Sequence, residues 1–244
     1  MKLKRIAKER KQTLVFLELA KNVPGVTLVT EIAITKQGEN KVNLTAALVK
    51  AISRAMQKCS DLNVQIKFGT RDRLLALDDI SARITVEKQL NGVNGVYSCI
   101  IKDTDQKSLD QIHHELDEIK RSDVANDKRY ALTRLIHRLP LFLSIYLSKL
   151  LLFFTRKQAA MMGSFTVTSF GERSQFFCVP ISGSTFTFTL GNLKKRESQP
   201  TEATHYVANL VMVFDHRVLD GMSASLFLNR IKNYLSEYLQ EGGR

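Results

Sequence analysis

The sequence predicts a mixed α/β domain, with helices packed on a mixed β-sheet. Three observations carry that reading. β-Branched or alternating runs recur at 26–35, 95–101, 164–170, 184–190 and 205–214. Helical apolar stripes recur at 43–56, 108–119 and 222–239. The two kinds interleave without the strict βαβ alternation of a purely parallel sheet. Apolar residues fill 44% of the 244 positions, enough for a real core. No Gly/Ser linker, repeat or low-complexity run divides the chain, so residues 1–244 are expected to form one domain.

The first strand follows the turn signal Pro24-Gly25 and runs as Val-Thr-Leu-Val-Thr-Glu-Ile-Ala-Ile-Thr over 26–35. From Asn43 to Met56, Leu44, Ala47, Leu48, Ala51, Ile52 and Ala55 line one side of a helix. Weaker strand signals at 64–68 and 82–87 precede a clearer one at 95–101. Ser108 is placed to cap a helix that runs to Ile119, with Leu109, Ile112, Leu116 and Ile119 on one face. Thr/Phe alternation at 164–170 and 184–190 reads as two half-buried strands. A further strand ends at Phe214. The last helix, from about Met222 to Leu239, is expected to bury Leu226, Phe227, Ile231, Tyr234, Leu235 and Tyr238.

Residues 139–154, Leu-Pro-Leu-Phe-Leu-Ser-Ile-Tyr-Leu-Ser-Lys-Leu-Leu-Leu-Phe-Phe, stand apart. A membrane span needs about 20 apolar residues, and Lys149 interrupts this shorter run. Three readings stay open: a buried or interfacial helix, the wall of an apolar substrate tunnel, or a helix lying in the plane of a membrane.

The net charge of +12 is clustered. Residues 1–11 carry six basic groups against Glu9, and residues 120–157 carry nine against Asp123 and Asp127, local balances of +5 and +7. Such clusters point either to an anionic partner (a phosphate-bearing cofactor, an acidic carrier protein, a membrane surface or nucleic acid) or to a solvated basic surface that serves solubility. Nucleic acid is disfavoured, because no recognised motif or aromatic-basic interleaving is present. Cys59, Cys99 and Cys178 lie far apart and form neither a disulfide framework nor a metal-ligand spacing, so no metal site is expected. A reducing, cytoplasmic setting fits, with membrane association left open; the basic N-terminus lacks the apolar core of a secretory signal.

Chemistry concentrates in Asp215-His216-Arg217-Val218-Leu219-Asp220-Gly221. His216 falls on a tight strand-to-helix connection, where a side chain projects from a fixed scaffold. A neutral imidazole accepts a proton, the role of a general base. Asp220 is placed to cap the last helix, and Gly221 permits a conformation or a close approach barred to other residues. By spacing alone, a histidine four residues before an aspartate is weak evidence for any of this.

That segment and its following helix resemble the signature of the dihydrolipoyl acyltransferase components of 2-oxoacid dehydrogenase complexes, in the wider HxxxDG group that includes chloramphenicol acetyltransferase. The likeness extends to Asn43–Ala51 with Asp61-Leu62-Asn63, to 103–119, and to Ser164-Phe165-Thr166-Val167-Thr168-Ser169-Phe170-Gly171. The resemblance implies a two-layer α/β sandwich with a mixed sheet, assembled as homotrimers with active sites between subunits. It makes coenzyme A thioester the co-substrate, with no permanently bound cofactor. An acylated carrier protein is the other donor considered. His216 would deprotonate a thiol or hydroxyl, which attacks the thioester carbonyl. A hydroxyl from the adjacent subunit, Thr168 with Ser169 as fallback, would hold the oxyanion. Asp220 would brace the loop by pairing with a basic group, for which Arg5 and Arg10 are candidates. A lipoyl Asp-Lys-Ala motif is missing, and 130–157 is longer and more apolar than the family's loop. A free-standing catalytic domain without lipoyl or subunit-binding domains is therefore expected.

Two other classes compete: a catalytically silent scaffold subunit and a membrane-surface binding protein. Retention of His216, Asp220 and Gly221 together argues against a scaffold. His113, His114, His137 and His205 show no interpretable partner spacing, and the pair His113-His114 reads as surface.

Overall fold

The computed structural model describes residues 3–35, 43–168, 178–191, 194–196 and 205–240. In chain order its elements are α1 (Lys11–Ala20), β1 (Gly25–Thr35), α2 (Leu44–Gln57), β2 (Val64–Ile66), β3 (Leu74–Ala76), β4 (Ala82–Leu90) and β5 (Val93–Ile101). There follow α3 (Leu109–Arg121), α4 (Ala131–Arg138), α5 (Leu141–Phe153), α6 (Thr155–Met162), β6 (Phe165–Thr168), β7 (Phe186–Leu190), β8 (Lys194–Arg196), β9 (His205–Asp215) and α7 (Gly221–Gln240).

The main sheet runs in the order β1-β9-β7-β6-β4-β5, with β8 paired to β9 outside this path. β6 lies parallel to both β4 and β7, and the remaining neighbours are antiparallel. β2 and β3 form a separate hairpin. Helices α2, α3 and α7 pack together on one face of the main sheet. Two of them start where local chemistry dictates. The Asn43 side chain accepts the N–H groups of Thr45 and Ala46 ahead of α2, and Ser108 and Gln111 close a reciprocal capping box at α3.

Between sheet and helices lies a core rich in phenylalanine. Phe186 stacks on Phe188 with ring centroids 6.3 Å apart and meets Phe227 of α7 at 5.1 Å. Each such ring stabilises the fold by about 1.5–3 kcal/mol through burial. The sequence suggested half-buried strands for β6 and β7, yet both are central and almost wholly enclosed. Two of their alternating threonines bond nearby serines: Thr166 bonds Ser184 at 2.9 Å, and Thr187 bonds Ser182 at 2.8 Å. Leu226 departs from expectation. It stands 64% exposed, because the core-facing side of α7 runs through Phe227, Ile231 and Leu235.

Residues 139–154 form no buried helix. Pro140 separates α4 from α5, and α5 turns one narrow side inward: Ser144, Ser148 and Leu152 are buried against the protein. Phe142, Tyr146, Leu150 and Phe153 point outward, 45–69% exposed. Among the described residues no helix is long and apolar enough to cross a membrane. His137, at the end of α4, is a packed core group. It bonds Gln12 at 2.6 Å and abuts Tyr97, and burial holds its pKa below the usual histidine value.

Substituting Phe186→Ala should cost about 3–5 kcal/mol in denaturant unfolding, whereas Leu226→Ala should stay within about 0.5 kcal/mol of the parent. Equal losses would mean that the face of α7 is misassigned.

Candidate active site

His216 occupies the short link between β9 and α7, and backbone bonds fix its position. The Asp215 N–H donates to the Thr185 carbonyl at 2.9 Å, and the His216 N–H donates to the Pro24 carbonyl at 3.0 Å. A turn closes when the Val218 N–H donates to the Asp215 carbonyl, and Leu219 anchors the link in the core. Asp215 itself is buried. Its carboxylate accepts the Arg217 backbone N–H at 3.0 Å and the Arg217 Nε at 2.9 Å, and pairs with the guanidinium terminus. This pairing raises the Arg217 pKa above its usual value. This ion pair was not among the site features predicted from sequence. The signal was present in the two-residue spacing of opposite charges inside the tight turn.

The imidazole projects from this braced link with its side chain 47% exposed and one edge near the Phe214 ring. Asp220 Oδ1 lies 3.9 Å from His216 Nδ1, beyond hydrogen-bond reach, and its side chain is 92% exposed. The Asp220 carbonyl accepts the Ala224 N–H and so opens α7. Neither Arg5 nor Arg10 meets Asp220 among the described residues. The turn that contains Arg10 packs on β5, at the sheet edge four strands from β9. Gly221 needs no special conformation: its φ is not positive, and an added Cβ would meet nothing within 4 Å.

Thr168 closes β6, and its hydroxyl bonds that of Thr85 on β4 at 2.7 Å. With Thr85 as donor, the Thr168 proton is free for an incoming oxygen. Thr189, its register partner on β7, is buried with a hydroxyl that finds no partner among the described residues. The approach to this strand depends on Gly163, whose φ of 65° and 2.8 Å approach of an added Cβ to the Ser81 carbonyl exclude a side chain. Ser169 lies outside the described residues.

Thr168 and His216 do not meet within one chain. Thr168 pairs with Thr189, and Thr189 with Val211, five residues before His216. At about 3.3 Å per residue and about 4.8 Å per strand, the two residues are about 19 Å apart, toward opposite ends of the strands.

The arrangement of sheet and helices is that of chloramphenicol acetyltransferase. The chain matches a structure of that enzyme with a TM-score of 0.56 over 95% of this chain and 99% of that one, at 14% identity. It matches the cubic core of the pyruvate dehydrogenase multienzyme complex with a TM-score of 0.70 over 97% and 92%, at 18% identity. Residues 156–241, which hold both Thr168 and His216, match the model of the 2-oxoacid dehydrogenases acyltransferase catalytic domain. The dihydrolipoyllysine-residue acetyltransferase component of the pyruvate dehydrogenase complex from Mycoplasma capricolum is 26% identical over 212 residues. The chain is a distant relative of the catalytic domain of these acyltransferases. That alignment takes in 81% of this chain and only 39% of the length of the Mycoplasma protein.

Replacing Arg217 with Ala would leave the buried Asp215 carboxylate without its main partner. Thermal or denaturant unfolding should then show a loss of about 1–3 kcal/mol. An unchanged stability would mean that the pair does not brace the link.

Proposed function

We propose that the chain is an acyltransferase that moves an acyl group from a coenzyme A or carrier-protein thioester to a thiol or hydroxyl acceptor. Its active site would be shared between neighbouring copies of a homotrimer. The observation that supports this reading is the separation of His216 from Thr168, which keeps either from serving the other within its own chain.

In this scheme His216 takes the proton from the acceptor. The freed sulfur or oxygen attacks the thioester carbonyl, and Thr168 of a neighbouring copy donates to the resulting oxyanion. Collapse expels the donor thiolate, which recovers the proton from His216. A thiol of pKa about 8.5 is only a few percent ionised at neutral pH, so a positioned base contributes usefully. One oxyanion donor contributes about 2.7–4 kcal/mol to such a reaction. Asp220 would brace the loop, and its exposed carboxylate is available to a basic group of another copy. The clustered positive charge suits the phosphates of coenzyme A or an acidic carrier.

Release of coenzyme A from short, medium and long acyl-CoAs, or of the carrier thiol from acylated carriers, with a thiol or hydroxyl acceptor supplied, tests the scheme. His216→Ala should lower the rate by at least about a hundredfold and Thr168→Val by a similar factor, both with unchanged folding. Activity that survives His216→Ala would overturn the mechanism. Silence of the wild type with both donor classes would overturn the assignment.

A further inference from the structure

We propose that α5 docks the protein on an anionic lipid surface, lying in the plane of the bilayer with its outward face among the acyl chains. This inference does not depend on the acyltransferase reading.

The helix is reversed relative to a core helix. Ser144 turns inward and donates to the Ile136 carbonyl at 3.0 Å, while Phe142, Tyr146, Leu150 and Phe153 recur along the outer side at the spacing of one helical face. Phe154 and Leu143 widen that stripe. Contiguous exposed apolar surface of this kind marks an interaction site.

Charge selects the occupant. Residues 128–171 contain no Asp or Glu, and within them Lys128, Arg129, Arg134, Arg138, Lys149, Arg156 and Lys157 are basic. Arg138 precedes the stripe, Lys149 sits along it, and Arg156 and Lys157 follow it, all exposed. The β2–β3 hairpin adds to this rim. Lys67 donates to the Phe153 carbonyl with its ammonium 5.3 Å from the Phe153 ring centroid, and Arg71 and Arg73 stand exposed beside it. Among these groups, Glu18 offsets Lys149 at 3.5 Å, Asp127 pairs with Arg129 at 2.7 Å, and Asp72 stands exposed between Arg71 and Arg73, which leaves Arg138, Arg156 and Lys157 as the exposed cations flanking the stripe.

A two-fold contact between copies through this face would set like charges against each other. An anionic headgroup layer instead receives the basic rim while the rings enter the apolar boundary, and long Lys and Arg side chains reach back to the headgroups. The 13 residues of α5 span only about 20 Å, too short to cross the roughly 30 Å of hydrocarbon, so the helix lies along the surface.

Flotation of the purified protein with vesicles of phosphatidylcholine alone, or mixed with phosphatidylglycerol, tests the proposal, with circular dichroism to verify folding. The wild type should float with the mixed vesicles and lose binding at high salt. Phe142→Glu/Phe153→Glu should reduce the bound fraction by about tenfold. Arg156→Glu/Lys157→Glu should abolish the preference for phosphatidylglycerol. Wild type that ignores both vesicle types overturns the proposal, as does binding indifferent to both variants. Loss of an oligomer in the phenylalanine variant, with no vesicle binding by the wild type, would assign the face to contacts between copies and overturn it too.

Discussion

The positions of His216 and Thr168 both depend on β9. This strand pairs with β1 from Gly25–Asp215 to Thr35–His205 along one side. On its other side it pairs with β8 near its start and with β7 near its end. It cannot slip against either neighbour without moving Leu210, Met212 and Phe214 out of the core, because a one-residue shift exchanges the two faces of a strand. His216 therefore leaves the sheet at a fixed point. The Pro24 carbonyl and the Asp215–Arg217 pair then hold the link that follows.

The same pairing separates the chemistry. Through β7 the register carries from β9 to β6, and it places Thr168 toward the opposite end of the sheet from His216. In the proposed scheme His216 and Thr168 are half-sites, and a second copy of the chain would complete both. The exposure of His216 and Asp220 in the isolated chain follows naturally if the rest of the site belongs to a neighbour. Residues 139–154 pack elsewhere in the chain: α5 contacts α1 and α6.

The sequence revealed most where a local physical rule acts alone. The capping side chains of Asn43 and Ser108, the turn at Pro24-Gly25 and the alternation in β9 all have one structural solution, and the fold uses it. The candidate base was visible because the segment around His216 joins a strand to a helix within a few residues. Legibility failed where the deciding information is three-dimensional. The last helix has apolar residues on more than one side, so its stripe did not show that Leu226 lies outside the buried face. A helix apolar all round gives no phase, and the inward orientation of Ser144 and Ser148 in α5 could only come from packing on α1. β3 and β8, three residues each, are too short for periodicity to register. Arg10 was a candidate partner for Asp220 through the family resemblance, but it packs on β5, four strands from β9.

Complementation between inactive variants tests the shared site most directly. Inactive His216→Ala and Thr168→Val proteins would be dissociated together, reassembled and assayed for thiol release. A site built by two copies predicts that an equimolar reassembled mixture regains about a quarter of wild-type activity, since an intact base meets an intact hydroxyl on a neighbour in that fraction of all interfaces. Reassembled mixtures as inactive as either parent, with wild type recovering fully under the same treatment, would contradict a site divided between chains.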